Sequence, residues 1–492
     1  MTERQVLHGG IVLTGPQWRP RPADLLIAGG RIEAVAAPGG FAGVDAATHD
    51  VTGRLVIPGL INAHTHSHTA PARGAARAWT LEDSLLNGGW MAAPRSEELT
   101  ELAALLTATE LIASGCTGAF DLIAQAGGPD PAGCHAAARG YARAGLRTVL
   151  APMVADRTLH EAMPAIGACC GAPATGKPGP STADVLAACT AYVRNFPALQ
   201  GVMPALAPTI PGHCTPELTV GLGRLAAEHG LRVHTHLAES KPQALAGASR
   251  FGHSITRELA RLGVLGDRLT VAHAIWVDDE DIRMLAASGA VAVTVPGSNL
   301  RLGSGIADTR AMLAAGLRLA VGTDGANSAD AFDALDAVRL TALLSRVSER
   351  PARQWLTVEE TLDAATAGGA AACGWTDTGR LAPGQRADFA LLDLGARAFR
   401  PPTDLANQLL TAARAADVTD VVVGGRFVYR DRAFPHLDVA AALNRFDTLV
   451  EEFCARVAPA RADADRQAAL AATALAGLRR APSPVRRLIG WR

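Results

Sequence analysis

The chain has 492 residues, a net charge of −1, 49% hydrophobic and 19% charged residues, and 50 glycines with 29 prolines. Its length allows roughly two to four domains, or one large barrel with additions. The near-neutral balance argues against nucleic acid or another polyanion as the main partner, and the apolar content with recurrent Gly/Pro excludes disorder and a coiled coil.

The N-terminal stretch MTERQVLHGGIVL is charged and lacks the continuous apolar core of a signal peptide, and no charge-free run of about 20 apolar residues is present to span a bilayer. The eight cysteines show no Cys-x-x-Cys spacing, and Cys116, Cys189 and Cys373 fall in apolar stretches, as buried thiols of a reducing compartment do. The expectation is a soluble, cytoplasmic protein with no membrane partner.

Residues 1–54 read as short strands with glycine turns (VLHGGIVL, DLLIAGGRIEAV). From 55 to 326 a short Val/Ile/Leu run, a loop and an amphipathic helical stretch recur, which predicts consecutive βα units and a parallel sheet. The expected strands are 55–66, 116–122, 147–156, 199–208, 232–239, 269–276, 290–299 and 318–326. Helices are expected at 98–114, 181–195, 215–229, 278–288 and 331–348. Eight such units over about 270 residues match an α/β fold of the (β/α)8 TIM-barrel type. A doubly wound sheet is disfavoured because no Gly-x-Gly-x-x-Gly follows the first strand.

The Gly/Pro-rich segment 165–180 follows the third strand and reads either as a lid over the site or as a plain insertion. Residues 380–437 return to short strands, so the two chain ends are expected to form one small β-sandwich domain around a barrel of 55–379. From 438 to 492 the pattern is a helical extension with a basic end (Arg479, Arg480, Arg486, Arg487, Arg492), read as packing or oligomer contact. A homodimer or higher homo-oligomer is expected.

The histidines cluster. His64, His66, His236 and His273, with Glu239 and Asp324, fall at the carboxyl ends of expected strands one, five, six and eight, where barrel catalytic groups converge. His64 and His66 are two apart on a strand, share a face and can share one ion. With His236 and the Asp of a Gly-Thr-Asp-Gly turn they make a three-nitrogen, one-oxygen set suited to a single divalent metal, zinc foremost and Fe2+ as the alternative. His234 and His236 share a face, and spacing alone leaves either as the ligand. In His236-Leu-Ala-Glu239 the carboxylate lies just past the ligand, placed to shuttle a proton. His273 reads as a ligand or as a partner of the attacking water; His68, beyond the strand end, could line the pocket but reads first as an ordinary loop histidine.

The strings PGLINAHTHSH (58–68), HTHLAES (234–240), VAHAIW (271–276), PGSNLRLGSGIA (296–307), GTDGANS (322–328) and GRLAPGQRADFALLD (379–393) together resemble the amidohydrolase superfamily. The resemblance is to its cytosine deaminase-like branch of S-adenosylhomocysteine deaminases, guanine deaminases and triazine hydrolases. It implies metal ligands His64, His66, His236 and Asp324, with Glu239, His273 and Asp324 serving catalysis. Binuclear members bridge two metals with a lysine at the end of strand four. Only Lys177 and Lys241 of the 46 basic residues are lysines, and strand four holds neither, so a single-metal site is implied.

Two departures bear on substrate. Ala207-Pro208-Thr209 stands where many purine-type relatives have Ala-Pro-His, with His213 a few residues on; Thr294-Val295-Pro296 stands where many have a histidine. The segment 72–86 matches in position a loop that closes over substrate, which makes Arg73, Trp79 and Glu82 pocket candidates. Trp79, His213 and Asn299 are the substrate contacts carried forward. The implied activity is removal of an amino group from a small purine, pterin, pyrimidine or triazine-type heterocycle by metal-activated water. Two alternatives stay open at this point: hydrolysis of another bond (dechlorination, amide or cyclic-amide cleavage) and a catalytically inactive barrel scaffold.

Overall fold

The expected first barrel strand, 55–66, is two strands in the computed structural model, which describes residues 4–125, 128–170, 179–329, 331–347 and 350–488. Arg54–Pro58 pairs antiparallel with Phe389–Asp393, while Leu60–His66 opens the barrel. Gly59 makes the division: a Cβ there would meet the Thr117 side chain at 2.2 Å, so only glycine lets the chain step from one sheet to the next. The barrel therefore begins at Leu60 and not at residue 55. Lys177, Arg492 and residues 171–178 of the Gly/Pro loop lie outside the described residues.

Eight parallel strands close the barrel: β1 (Leu60–His66), β2 (Cys116–Ala124), β3 (Arg147–Val154), β4 (Val202–Pro204, resumed at Ala207–Pro208), β5 (Val233–Leu237), β6 (Leu269–His273), β7 (Val291–Thr294) and β8 (Arg318–Val321, resumed at Asp324–Gly325). Two seams join its halves. His234 N donates to Leu206 O (2.9 Å) between β4 and β5, and Thr323 N donates to His64 O (3.1 Å) between β8 and β1. Strand seven ends at Thr294 and not at 299, because Pro296 starts a short helix, Pro296–Arg301, that carries Asn299.

The expected helices form as Glu97–Ala113, Thr182–Arg194, Pro216–His229, Asp279–Ser288 and Ala334–Arg346. The last starts late because Asp333 is its N-cap, accepting from Asp336 N at 3.1 Å. A helix absent from the sequence reading, Leu81–Met91, forms in the loop after β1. Thr80 and Asp83 make its capping box, through Asp83 N to Thr80 Oγ1 (3.2 Å) and Thr80 N to Asp83 Oδ2 (2.8 Å).

The chain ends make two sheets. One has six strands in the order Arg426–Tyr429, Val418–Val423, Phe389–Asp393, Arg54–Pro58, Ile11–Thr14, Arg19–Pro22; the other has four, Arg31–Ala36, Asp24–Ala28, Arg4–His8, Ala47–Asp50. Leu7, Val12, Leu25, Ile27, Ile32, Val56, Phe389 and Leu391 fill the space between them. A buried ion pair pins this sandwich to the barrel. Arg147 Nη1 donates to Asp388 Oδ2 (3.1 Å), its guanidinium lies 4.2 Å from the Trp375 ring centroid, and Asp388 also accepts from Thr378 Oγ1 (2.8 Å) and Gly424 N (2.7 Å). Asp388→Ala removes the nearer counter-charge of buried Arg147, leaving Asp377 at 3.9 Å, and is expected to destabilise the protein by about 3 kcal/mol, the low end for breaking a buried pair, read as a lower urea midpoint.

The two helical stretches expected after 438 are one helix, Val439–Arg480, running through Pro459. Packing of Leu449, Phe453, Val457, Ala464, Ala471 and Leu475 holds it continuous across the hydrogen bond that the proline cannot make. It lies on the helices Leu81–Met91, Glu97–Ala113 and Lys241–Phe251. Among the described residues no helix is long and apolar enough to cross a membrane.

Candidate active site

Four imidazoles and two carboxyl groups meet at the carboxyl ends of β1, β5, β6 and β8. Each of three rings is fixed by its Nδ1. His66 Nδ1 donates to Leu122 O (2.7 Å) and His236 Nδ1 to Thr209 O (2.6 Å), while His273 Nδ1 meets Asn299 Oδ1 (2.8 Å). Because a carbonyl can only accept, the proton sits on Nδ1 and Nε2 turns a lone pair inward. The fourth ring, His64, contacts His234 Nε2 through Nδ1 (3.2 Å). His234 is thus turned onto His64, buried and edge-on to Phe120, whereas His236 faces the centre and groups with His64 and His66.

His66 Nε2 lies 3.2 Å from His236 Nε2 and 3.2 Å from Asp324 Oδ1; His64 Nε2 lies 3.7 Å from Asp324 Oδ1. Two overlapping groups, His64–His66–His236 and His64–His273–Asp324, each bring their donor atoms within 4.8 Å of one another. The Nε2 atoms of His64 and His273 are buried with no hydrogen-bond partner. Buried polar atoms are normally satisfied, so inward-facing lone pairs of this kind fit a cation.

The electrostatics agree with that use. Burial pushes His64 well below its ordinary pKa, and burial with the neighbouring His66 and His273 pushes His236 down to about 3, so both imidazoles are held neutral near pH 7, as a cation site requires. Burial opposes charge on both His66 and Asp324, yet the hydrogen bond and charge between them outweigh it, raising His66 and holding the Asp324 carboxyl below the usual range; a bound dication would take the place of the proton on His66 Nε2. Glu239 goes the other way: burial first, then the charges of Asp324 and Glu82, raise it well above the usual range. Its Oε2 lies 3.4 Å from His273 Nε2. Two carboxyl groups in one cavity are thus shifted in opposite directions, Asp324 toward the ionised form and Glu239 toward the protonated one.

Backbone strain sits at the same place. Asp324 (φ 72°), His273 (φ 66°), Ala274 (φ 45°) and Ala238 (φ 45°) are non-glycine residues in the left-handed region. Such conformations cost roughly 1–3 kcal/mol each and gather where function fixes them. Asn62 secures the Asp324 turn, donating from Nδ2 to Thr323 Oγ1 (2.7 Å) and accepting from Thr323 N (3.0 Å).

A cavity of about 260 Å3 opens onto His66, His236, Glu239 and Asp324. Leu81, Ser84, Leu85, Gly88 and Met91 of the helix after β1 form one wall, Ala124, Met153, Thr209 and Ile210 another, and His68, Leu302, Asn327 and Ser328 complete it. His68, read from sequence as a loop histidine, is thus a wall residue, with its Nδ1 buried and unpartnered. Asn327 lay within the string GTDGANS and could have been singled out there.

The expected substrate contacts fare differently. Trp79 packs half-buried against the hydrophobic core, and His213 is buried beside Gln243 and Arg250; neither lines this cavity. Asn299 orients His273. Arg73 pairs with Glu110 at 2.6 Å, and Glu82 is buried behind the wall, accepting from Ser240 Oγ at 2.5 Å.

A closed parallel barrel with imidazoles and an ionised carboxylate turned inward at its strand ends defines a metal-dependent hydrolase. The chain belongs to the Amidohydrolase family, whose profile matches residues 55–428. It is 30% identical over 455 residues to the 5-methylthioadenosine/S-adenosylhomocysteine deaminase of Pyrococcus furiosus, covering 91% of this chain and 100% of that protein. It is 33% identical over 420 residues to the 8-oxoguanine deaminase of Pseudomonas aeruginosa, covering 81% and 88%. The zinc-bound atrazine chlorohydrolase of Arthrobacter aurescens aligns with a TM-score of 0.82 at 26% identity, over 91% of this chain and 100% of that one.

Proposed function

We infer that the protein is an aminohydrolase whose His64, His66, His236 and Asp324 hold one zinc ion, and that it removes an amino group from a small neutral N-heterocycle. The observation that carries this reading is the inward-facing set of Nε2 lone pairs beside a carboxyl group raised by burial. Its relatives include deaminases of purine compounds and a zinc-bound chlorohydrolase.

A divalent ion in this set supplies Lewis acidity and lowers the pKa of a bound water toward neutrality. Asp324 and His273, turned toward the centre of the donor set, would accept a proton from the attacking water as its oxygen bonds to the amino-bearing carbon. Glu239 gives its proton to the adjacent ring nitrogen, so the C=N electron pair moves onto nitrogen. The C–N bond then breaks, the proton held by the acid–base pair passes to the departing nitrogen, and ammonia leaves; the remaining proton on the new oxygen passes to the Glu239 carboxylate, which gives the carbonyl and restores the acid. Asn299 keeps His273 turned toward the reaction. Asn299→Ala is expected to retain the metal and lower kcat by roughly 10–100-fold, measured alongside metal content.

Size and charge narrow the substrate. A cavity of about 260 Å3 lies below the usual range of roughly 300–1,000 Å3 for ligand pockets. His68 is the one ionisable wall residue outside the metal and proton-transfer set among the described residues, and burial keeps it neutral. A free base or single heterocycle suits this space better than a nucleoside with a long charged substituent.

The test is ammonia release by zinc-loaded protein from aminopurines, pterins, aminopyrimidines and aminotriazines, with matched nucleosides as comparison. Ammonia from a base at higher kcat/KM than from its nucleoside is expected. Chloride release from a chlorotriazine without ammonia from any amine would favour the second reading, suggested by the structural likeness to the chlorohydrolase. The eight free cysteines support a reducing, cytoplasmic setting.

A further inference from the structure

The C-terminal tail returns to the barrel mouth. After the helix Val439–Arg480, Arg487 inserts between the segments that follow β6 and β7. Its Nε donates to Ile275 O (2.8 Å), its Nη2 to Val277 O (2.8 Å), and its own carbonyl accepts from Ile306 N (2.8 Å). The fit is close: a Cβ on Gly305 would meet Arg487 O at 2.9 Å. Among the described residues every hydrogen bond of this guanidinium goes to a backbone carbonyl, and none to a carboxylate.

The carbonyls it takes follow directly on His273 and Ala274, both in the left-handed region. The chain has left the sheet there, so no neighbouring strand can satisfy them. Trp276, between the two clamped carbonyls, donates from its backbone N to Ala238 O (2.9 Å) and from Nε1 to Ser304 O (2.8 Å). Ser304 N donates to Asn299 O (2.8 Å), and Asn299 holds the His273 ring. Arg487 therefore sits where the segments carrying Glu239, His273 and Asn299 are tied together.

We propose that Arg487 is a positioning residue for His273: its forked guanidinium clamps the strained segment after β6 and so fixes the His273–Asn299 pair. It lies beyond residues 55–428, the stretch that the family profile matches. The fork matters, because a lysine ammonium carries charge but cannot span the Ile275 and Val277 carbonyls in the same fixed plane. The inference rests on the aminohydrolase reading only for the role of His273.

The test uses zinc-loaded full-length protein with 15N-labelled histidine. The His273 ring N–H is assigned by its loss in His273→Gln, and its exchange with water is measured in the parent protein, Arg487→Lys, Arg487→Ala and Arg486→Ala. Exchange should accelerate by about tenfold or more in both Arg487 variants, with zinc content retained. The kcat should fall by a similar factor with KM nearly unchanged, on the scale of losing an outer-shell partner of a site residue. Arg486→Ala should match the parent. If Arg487→Ala does not fold, Arg487→Lys, which keeps charge and bulk, decides alone. Unchanged ring exchange in a folded Arg487 variant overturns the proposal whatever the turnover. Absence of any amine hydrolysis by the parent protein would instead defeat the aminohydrolase reading and leave the exchange comparison standing.

Discussion

Asp324→Ala is expected to lose bound metal and activity together. Asp324 is the anionic member of the donor set, and its Oδ1 stands 3.2 Å from His66 Nε2. Its backbone is held at φ 72° to point it there, and its carboxyl stays ionised although buried. Without it, three neutral imidazoles must hold a dication in a nearly dry site, which strips charge compensation as well as one bond. The loss should exceed the roughly 10–100-fold weakening that removal of an outer-shell partner causes. His66→Ala should behave alike, since His66 touches both Asp324 and His236. Elemental analysis of dialysed protein decides the matter, and one zinc per chain in either variant would sink the ligand assignment.

Glu239→Gln separates the metal from the chemistry. The amide fills the same space and should leave zinc stoichiometric, while turnover falls by about 10²–10⁴-fold, the usual scale for loss of a general acid. The pH profile provides an independent reading. Burial, then the charges of Asp324 and Glu82, raise the Glu239 carboxyl well above the usual carboxylate range. A general acid works only while protonated, so kcat should decline as pH rises through that raised pKa. The alkaline decline should vanish from the residual rate of Glu239→Gln. Near-native turnover in that variant, or an unchanged alkaline limb, would remove Glu239 from the mechanism.

Much of the site could be read before any coordinates. The period of two in His64-Thr65-His66, and the placement of His236, Glu239, His273 and Asp324 at strand ends, follow from local chain geometry. The structure brings His66, His236, Glu239 and Asp324 onto one cavity, with His64 and His273 grouped against them. What sequence left unsettled depended on partners far away along the chain. His234 and His236 have the same phase, and only the ring contact of His234 with His64 separates support from ligand. Asn299 reads as a substrate contact because it stands near a strand end, but Pro296 starts a helix that turns it onto His273. Trp79 and His213 are close in sequence to wall residues and still miss the cavity. The helix Leu81–Met91 went unread although Thr80 and Asp83 carry its capping signal, because its packing partner is the C-terminal helix some 360 residues later.

The strand Arg54–Pro58 pairs with Phe389–Asp393, a segment that emerges from the ribosome roughly 330 residues later. At about 5–20 residues per second the nascent chain carries this strand with one edge open for some 15–70 s, although its other neighbour, Ile11–Thr14, is already made. Val56 and Ile57 are each 1% exposed in the finished fold, and the backbone groups on that open edge wait that long for their partner. A product cut short anywhere inside the barrel never supplies the missing partner. Such a fragment keeps an open apolar sheet edge, so incomplete translation yields chains that aggregate or are degraded rather than a smaller working enzyme.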